Sequence, residues 1–468
     1  MTGKILALAG VNVLMLVLGC GLLPVLRLAA TRRELLARLP LAYAVGLAAT
    51  GILAADLAVV DVPVGWIVLG IAAAVAVAVG LRRLRGGVSR SSLRRLDLPA
   101  YAVLGVVAAF AVPAARLLAV NPLNAIDGWA IWGLRARALY DYGHPVAPIF
   151  TDPAYQALQH PLLLPAVEAL DFRAMGGFDG TVVHLQLLGF AVAFVGGAWG
   201  LLRTRVPPLL LAGVLLAAIT APTFFNQLPS NYADVPLAVF VALGVVSLAT
   251  EQLPAAALFL GAGALTKNEG EMFALTAFVA AALVAQRPQL RRLASAAIFV
   301  VAVDLPWRIW IWSHHVKIAE YSISNLLNPA YLYDHRDRVG PSAHELWHQI
   351  WRLESFSFVV PLIVAGFAGA LVLRRYRAAA FGAAWLVLSF AGLLAIYWIS
   401  TNPIKSHLTD SADRTIDSLV FGGLLLVPVL LAVERQTEPR ELRGDGHRRL
   451  EIEDLADLRV LPDQLPRA

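Results

Sequence analysis

Two carboxylates and three cationic side chains stand at polar breaks in an otherwise apolar chain. Asp127 lies in NAIDGWAIWGLRARALYDYG (124–143), and Asp234 lies in NYADVP (231–236). A carboxylate at the outer mouth of a span can take a proton from a hydroxyl, or hold a cation or a sugar hydroxyl. Each can equally cap the helix that follows it. His160 opens HPLLLPAVEAL, a proline-bounded apolar segment whose helix start offers a phosphate site or forms an ordinary interfacial helix. Lys267 and Glu269 sit in TKNEG, between two short apolar segments. A break in a span leaves backbone groups unsatisfied unless it lines a polar cavity, so Lys267 meets an anionic group there or snorkels from a tight turn. His407 and Arg414 lie in HLTDSADRTID before the last apolar run. The guanidinium fork suits phosphate oxygens, or pairs with Asp410 or Asp413.

Three other patterns compete for attention. In 124–143, Trp129, Trp132, Ala136, Leu139 and Tyr140 form a stripe at helical spacing, with Arg135 and Arg137 on its flanks. That pattern predicts a helix lying in the headgroup layer, or a re-entry loop anchored by tryptophan. Asp304 and Arg308, four residues apart in one apolar run, read as a structural ion pair on a helix face. His344–His348 reads HELWH, a match to the H-E-x-x-H zinc pattern. A zinc site needs a third ligand, and no convincing one follows, so an amphipathic surface helix is the expectation.

The elements that position these groups are membrane spans. The chain has 468 residues, 59% hydrophobic and only 15% charged, with a mean hydropathy of +0.69. Soluble domains carry about 25% charged residues. At roughly 20 residues per span, about thirteen spans are expected: 5–26, 41–60, 64–81, 99–119, 182–202, 207–222, 235–249, 254–265, 272–285, 293–312, 356–373, 378–399 and 416–433. Polar loops 121–180 and 314–354 and a charged tail 434–468 complete the chain. Lys4 precedes the first run with no small-residue cleavage site, which reads as a retained span. The net charge of +6 comes from arginine clusters between apolar runs, where membrane orientation explains them without nucleic acid. The densest is Arg82, Arg83, Arg85, Arg90, Arg94 and Arg95. Alternation places nearly all clusters and the tail on the cytoplasmic side. It places Asp127, Asp234, Lys267, the 314–354 loop and 407–414 together on the other side. A single cysteine, Cys20, excludes an internal disulfide and a cysteine-based metal site. No internal repeat of the transporter kind is evident.

Taken in order, these pieces resemble the GT-C superfamily of membrane glycosyltransferases, in the branch of protein mannosyltransferases and aminoarabinose transferases. The likeness rests on DGWAIWGLRARAL, HPLLLP, NYADVPLAVF, GALTKNEG, the Pro306-Trp307 pair and Ser411-x-Asp413-Arg414, and covers roughly 121–433. It implies an all-α polytopic enzyme of the cell membrane, with domain 1–433 made of extra spans (1–120) and a motif-bearing core. It implies inverting transfer of a sugar from a polyprenyl-phosphate donor to a lipid-, glycan- or protein-linked hydroxyl on the extracytoplasmic face. By that resemblance Asp127 is the general base or orients the acceptor, and Asp234 supports the acceptor or a divalent cation. His160, Lys267 and Arg414 hold the donor phosphate, with Arg135, Glu269 and His407 in possible support. The chain departs from the family in its three extra early spans, in Gly128 where relatives have a second acid, in His160 where some have lysine, and in its short tail. No cofactor is certain, and a metal requirement stays open. A membrane transporter and a zinc metalloprotease using HELWH are the competing classes.

Overall fold

The structure, a computed structural model, describes residues 2–84, 97–121, 123, 125–155, 157–317 and 322–432. Every regular element among them is a helix. Arg85, Arg90, Arg94 and Arg95 of the densest basic loop, Asn124 and the charged tail 434–468 lie outside the described residues.

Seven helices are long and apolar enough to cross a membrane: Thr2–Val25, Leu39–Val59, Trp66–Arg83, Leu98–Val120, Val183–Leu202, Arg287–Ser313 and Tyr376–Ile399. The chain is therefore a membrane protein with several helical spans. A bent pair, Pro208–Ile219 and Pro222–Ser230, meets at 54° and adds an eighth if it crosses as one. Pro222 explains the break, because proline cannot continue the hydrogen-bonded ladder of the preceding helix.

The other expected spans form shorter helices. Asn268–Val284 has 17 residues, Asp234–Ala249 has 16, Leu253–Ala264 has 12, and Val359–Val372 and Asp417–Leu430 have 14 each. At 1.5 Å per residue a 12-residue helix covers roughly 18 Å, against a hydrocarbon core of roughly 30 Å. The Asp234 helix is buried from its first residue to Leu248, and packs on Leu253–Ala264, Asp417–Leu430 and Gly180–Leu202. Asp234–Ala249, Leu253–Ala264 and Asp417–Leu430 are buried along most of their length, whereas Val359–Val372 leaves Leu362, Val364, Leu371 and Val372 exposed.

The segment after His160 departs from the sequence reading. It forms Leu163–Met175, buried from Leu163 to Phe172 and packed against Thr2–Val25 and Leu39–Val59 rather than lying at an interface. Gly51 makes room for it, since a Cβ there would stand 2.6 Å from the Leu163 side chain. The Leu163 amide donates to the Leu265 carbonyl at 2.9 Å, tying this helix to the turn that carries Lys267.

Lipid removes the hydrophobic force between helices, so close backbone contact must hold them. Gly19 and Gly46 supply it: a Cβ on Gly19 would collide with the Ala42 carbonyl, and one on Gly46 with the Met15 carbonyl. Gly10 on the same first helix has nothing within 4 Å. Gly46→Val is expected to destabilise by about 1–3 kcal/mol through overpacking, read as a lower melting temperature in detergent. Gly10→Val should leave it unchanged.

Candidate active site

Four segments distant in sequence meet through their charged side chains. Asp234 is the first residue of its helix and 4% exposed. Its Oδ1 accepts from Lys267 Nζ at 2.9 Å, and its Oδ2 lies 3.8 Å from Arg414 Nη1. Lys267 also pairs with Glu269 Oε1 at 3.3 Å. Arg414 Nη1 donates to Asp127 Oδ2 at 3.0 Å, and Nη2 donates to the Asp410 carbonyl at 2.7 Å. The result is one ladder, Asp127–Arg414–Asp234–Lys267–Glu269.

Local structure explains each placement. Lys267 ends the turn between Leu253–Ala264 and Asn268–Val284, with extended backbone, and its side chain is only 13% exposed. It faces inward rather than snorkelling. Gly270 allows the turn, because a Cβ there would strike the Gly263 carbonyl. Arg414 lies in the last turn of Ile404–Thr415, where a cation also meets the negative end of the helix dipole. Asp127 precedes a π-helical turn, Gly128–Gly133, and makes no capping bond with its side chain. Its carboxylate is left for Arg414.

The electrostatics are those of a closed ion cluster. Burial alone would lower the Lys267 ammonium, but Asp234 and then Glu269 override it and hold it above the usual lysine range. Burial likewise opposes the charge on Arg414, and Asp234 and Asp127 outweigh it. Tyr232 adds its ring face, 4.1 Å from the guanidinium carbon. Three carboxylates face two cations, so the cluster is anionic yet presents cations at its centre. Asp127 and Asp234 both turn an oxygen toward Arg414 Nη1. The guanidinium therefore holds the place between the acids that a divalent cation would need, and the residues as arranged do not fit one.

His160 and Arg135 stand behind this ladder. His160 is buried and stacked on Trp132, with ring centroids 5.4 Å apart. Burial, with Lys267, Arg135 and Arg308 nearby, pushes its pKa well down, so it is a neutral group and brings no charge to a phosphate. Arg135, expected on the flank of a surface helix, is 2% exposed. It donates to the carbonyls of His160 (3.2 Å) and Ala157, and lies 5.6 Å from the Phe150 ring. Arg135 stands one helical turn before Leu139, and the buried face of Leu134–Tyr142 is wide enough to take in Arg135, Ala136, Ala138 and Leu139 together. Trp132, Ala136 and Leu139 are buried as the stripe at helical spacing requires, but Trp129 is exposed. His407 hydrogen-bonds Ser400 Oγ at 2.8 Å and packs on Tyr397. Burial, then Lys267, depress it to about 4.

Sequence reasoning passed over several contributors. Asn231, fully buried with φ of 57°, donates to the Gly128 carbonyl at 3.1 Å and so fixes the loop beside Asp127. Tyr232 follows it. Both lie in the NYADVP stretch, where an asparagine, a residue that tolerates the left-handed region, three positions before an acid was the available signal. A cavity of about 500 Å³ adjoins Arg414 and is lined by Asn226, Gln227, Ser230, Tyr232 and Asp413 among others. The Asp304–Arg308 pair forms at 2.9 Å, and Arg308 extends it to Asn268 (3.0 Å) and Glu271.

HELWH lies on Val339–Ile350, an amphipathic helix that buries Ser342, Leu346 and Gln349 and leaves Trp347 exposed. Glu345 accepts from Gln349 at 2.7 Å. Among the described residues no group of three His, Cys, Asp or Glu is placed to hold a metal ion.

Two outcomes follow from the charges. Lys267→Met should cost about 3–5 kcal/mol, because it leaves buried carboxylates uncompensated, while Lys267→Met with Asp234→Asn should recover most of it in thermal melts. His407 has a folded pKa below its unfolded value of 6.5, so stability is full above pH 6.5 and falls as the pH drops toward 4. His407→Gln should flatten that part of the melting-temperature profile. No protein-family model, curated protein or solved structure matches this chain.

Proposed function

We propose that the chain is an integral membrane glycosyltransferase of GT-C type, moving a sugar from a polyprenyl-phosphate donor to an acceptor hydroxyl. The observation that carries this reading is the ladder: Asp127, Asp234, Lys267 and Arg414 come from four separate segments and share one ionic cluster beside a polar cavity. On this reading the shorter helices are counted with the long ones to give about thirteen spans. The cluster then faces the extracytoplasmic side of the cell membrane, in keeping with the arginine-rich loops on the other side.

The chemistry runs as one displacement. The donor phosphate competes with Asp127 for Arg414 and draws Lys267 partly from Asp234 and Glu269. Asp127, released, accepts the proton of the acceptor hydroxyl. The hydroxyl oxygen bonds to the anomeric carbon as the carbon–oxygen bond to phosphate breaks, with inversion. The electron pair leaves on the phosphate, whose growing charge is held by Arg414 and Lys267. Cations placed there favour the transition state over the ground state. Asp234 keeps both cations in position. His160, neutral and stacked on Trp132, and Arg135 support the loop and not the charge. A protease reading has less behind it, since Glu345 is engaged by Gln349.

Binding of polyprenyl phosphate to the protein in nanodiscs tests this. Lys267→Ala and Arg414→Ala should each weaken it about 10–100-fold, as expected for a lost charged hydrogen bond of roughly 1.5–3 kcal/mol. Asp127→Asn should bind at least as well as wild type, yet lose sugar transfer about 10²–10⁴-fold. Binding indifferent to both cations would sink the donor-site assignment.

A further inference from the structure

The end of the bundle far from the ladder holds an apolar groove with a cationic rim. Helix Gly180–Leu202 starts beside the loop that carries Asp127, where a Cβ on Gly180 would meet the Leu123 side chain at 3.7 Å. It has 23 residues, roughly 34 Å at about 1.5 Å each, so its other end at Arg203 lies about a membrane thickness away. There it crosses the start of Leu39–Val59 at backbone distance. A Cβ on Gly196 would stand 2.7 Å from the Pro40 carbonyl oxygen, and one on Gly200 2.5 Å from the Leu41 Cβ. That crossing brings Arg38, just before one helix, to Arg203 and Arg205, just after the other. Glu34 is the acid beside Arg38, but its carboxylate accepts from the Ala30 amide at 2.8 Å. The Arg38 guanidinium makes no hydrogen bond or ion pair among the described residues. Arg205 donates to the Leu201 carbonyl at 3.0 Å, which leaves its charge unanswered. Burial lowers the Arg38 guanidinium, Glu34 raises it and Arg203 lowers it; burial and then Arg38 lower Arg205. An anion set between Arg38 and Arg205 would relieve that repulsion, and a guanidinium fork suits phosphate.

The groove begins at this rim. Pro40, Tyr101 and Trp199 line its near end, and Ala114 and Leu228 its far end. Its volume is about 490 Å³, and its walls are almost wholly aliphatic and aromatic. Tyr101 and Val192, both exposed, open it to the lipid-facing surface. The Tyr101 and Trp199 rings meet edge to face at 5.8 Å, the aromatic pair expected at headgroup depth. From Tyr101 to Ala114 the groove runs roughly 20 Å at about 1.5 Å per residue, against about 15 Å for half of a roughly 30 Å hydrocarbon core. That is the reach of one acyl chain within one leaflet. The wall Leu98–Val120 is the least buried of the seven long spans, with 17% of its residues inside the protein, so a chain lying in the groove completes its packing.

We infer that the groove and its arginine rim bind an anionic phospholipid of the leaflet on that side. One acyl chain lies between Leu98–Val120 and Gly180–Leu202, and the phosphate rests on Arg38 and Arg205. The inference stands apart from the transferase reading: the site is a bilayer thickness from the ladder, and its lipid is a structural ligand, not a substrate.

Native mass spectrometry of the full chain, delipidated in detergent and titrated with phosphatidylglycerol or phosphatidylcholine of identical acyl chains, tests this. One phosphatidylglycerol should bind about tenfold more tightly than phosphatidylcholine. Arg38→Gln and Arg205→Gln should each weaken phosphatidylglycerol about fivefold, the equivalent of roughly 1 kcal/mol, and leave phosphatidylcholine unchanged. Ala108→Trp, at an exposed position in the groove wall, should weaken both lipids about tenfold or more by filling the groove. Arg291→Gln, in another arginine cluster, should change neither. Melting temperatures without lipid show that the variants are folded. Equal affinity for the two headgroups, a preference that survives both arginine changes together, or binding indifferent to Ala108→Trp overturns the site. Displacement of phosphatidylglycerol by polyprenyl phosphate also overturns it and gives the groove to the donor chain, whereas the two lipids bound side by side is the expected result.

Discussion

A buried carboxylate must be answered by a cation, and in this molecule Asp234 imposes that condition on everything around it. Its helix is sealed inside the bundle, and its carboxylate is almost inaccessible. Lys267 and Arg414 satisfy it from two other segments, and each then brings an acid of its own, Glu269 and Asp127. An isolated ion there would cost several kcal/mol. The turn at Lys267, the end of the Arg414 helix and the loop at Asp127 are thereby drawn to one point. The same closed cluster has a chemical consequence. Its cations are already placed and largely desolvated, and on the proposed reading an incoming phosphate takes them over from their carboxylates.

Much of this was legible in the sequence, and the reason is physical. Charged residues between apolar runs are rare and expensive, so Asp127, Asp234, Lys267 and Arg414 stand out singly. Helix boundaries followed the same logic: 378–399 was expected and Tyr376–Ile399 is found, and 235–249 became Asp234–Ala249. What the sequence could not supply was pairing. Arg414 has Asp410 and Asp413 close by in the chain, yet its side-chain partner is Asp127, 287 residues away. Only the fold decides between near and distant partners of equal chemistry.

The misread elements share a cause as well. Hydropathy measures how apolar a segment is, not what covers it. Leu163–Met175 carries Glu168 and Asp171 and follows a polar loop, so it read as interfacial, but it is buried against the first two long spans. Arg135 read as a flank because its type is charged, whereas the buried face of Leu134–Tyr142 takes it in and the carbonyls of His160 and Ala157 receive its guanidinium. His160 read as a cation because its type titrates near neutrality, whereas burial and three neighbouring cations keep it neutral. In each case the environment overrode a property assigned by residue type.

The central claim is that one ladder exchanges its carboxylates for a lipid phosphate. A structure of the nanodisc-embedded protein with polyprenyl phosphate bound tests it most directly. The account predicts phosphate oxygens within hydrogen-bonding distance of Arg414 and Lys267, with Asp127 parted from Arg414. Phosphate bound elsewhere, with the Asp127–Arg414 and Asp234–Lys267 pairs intact, would contradict it.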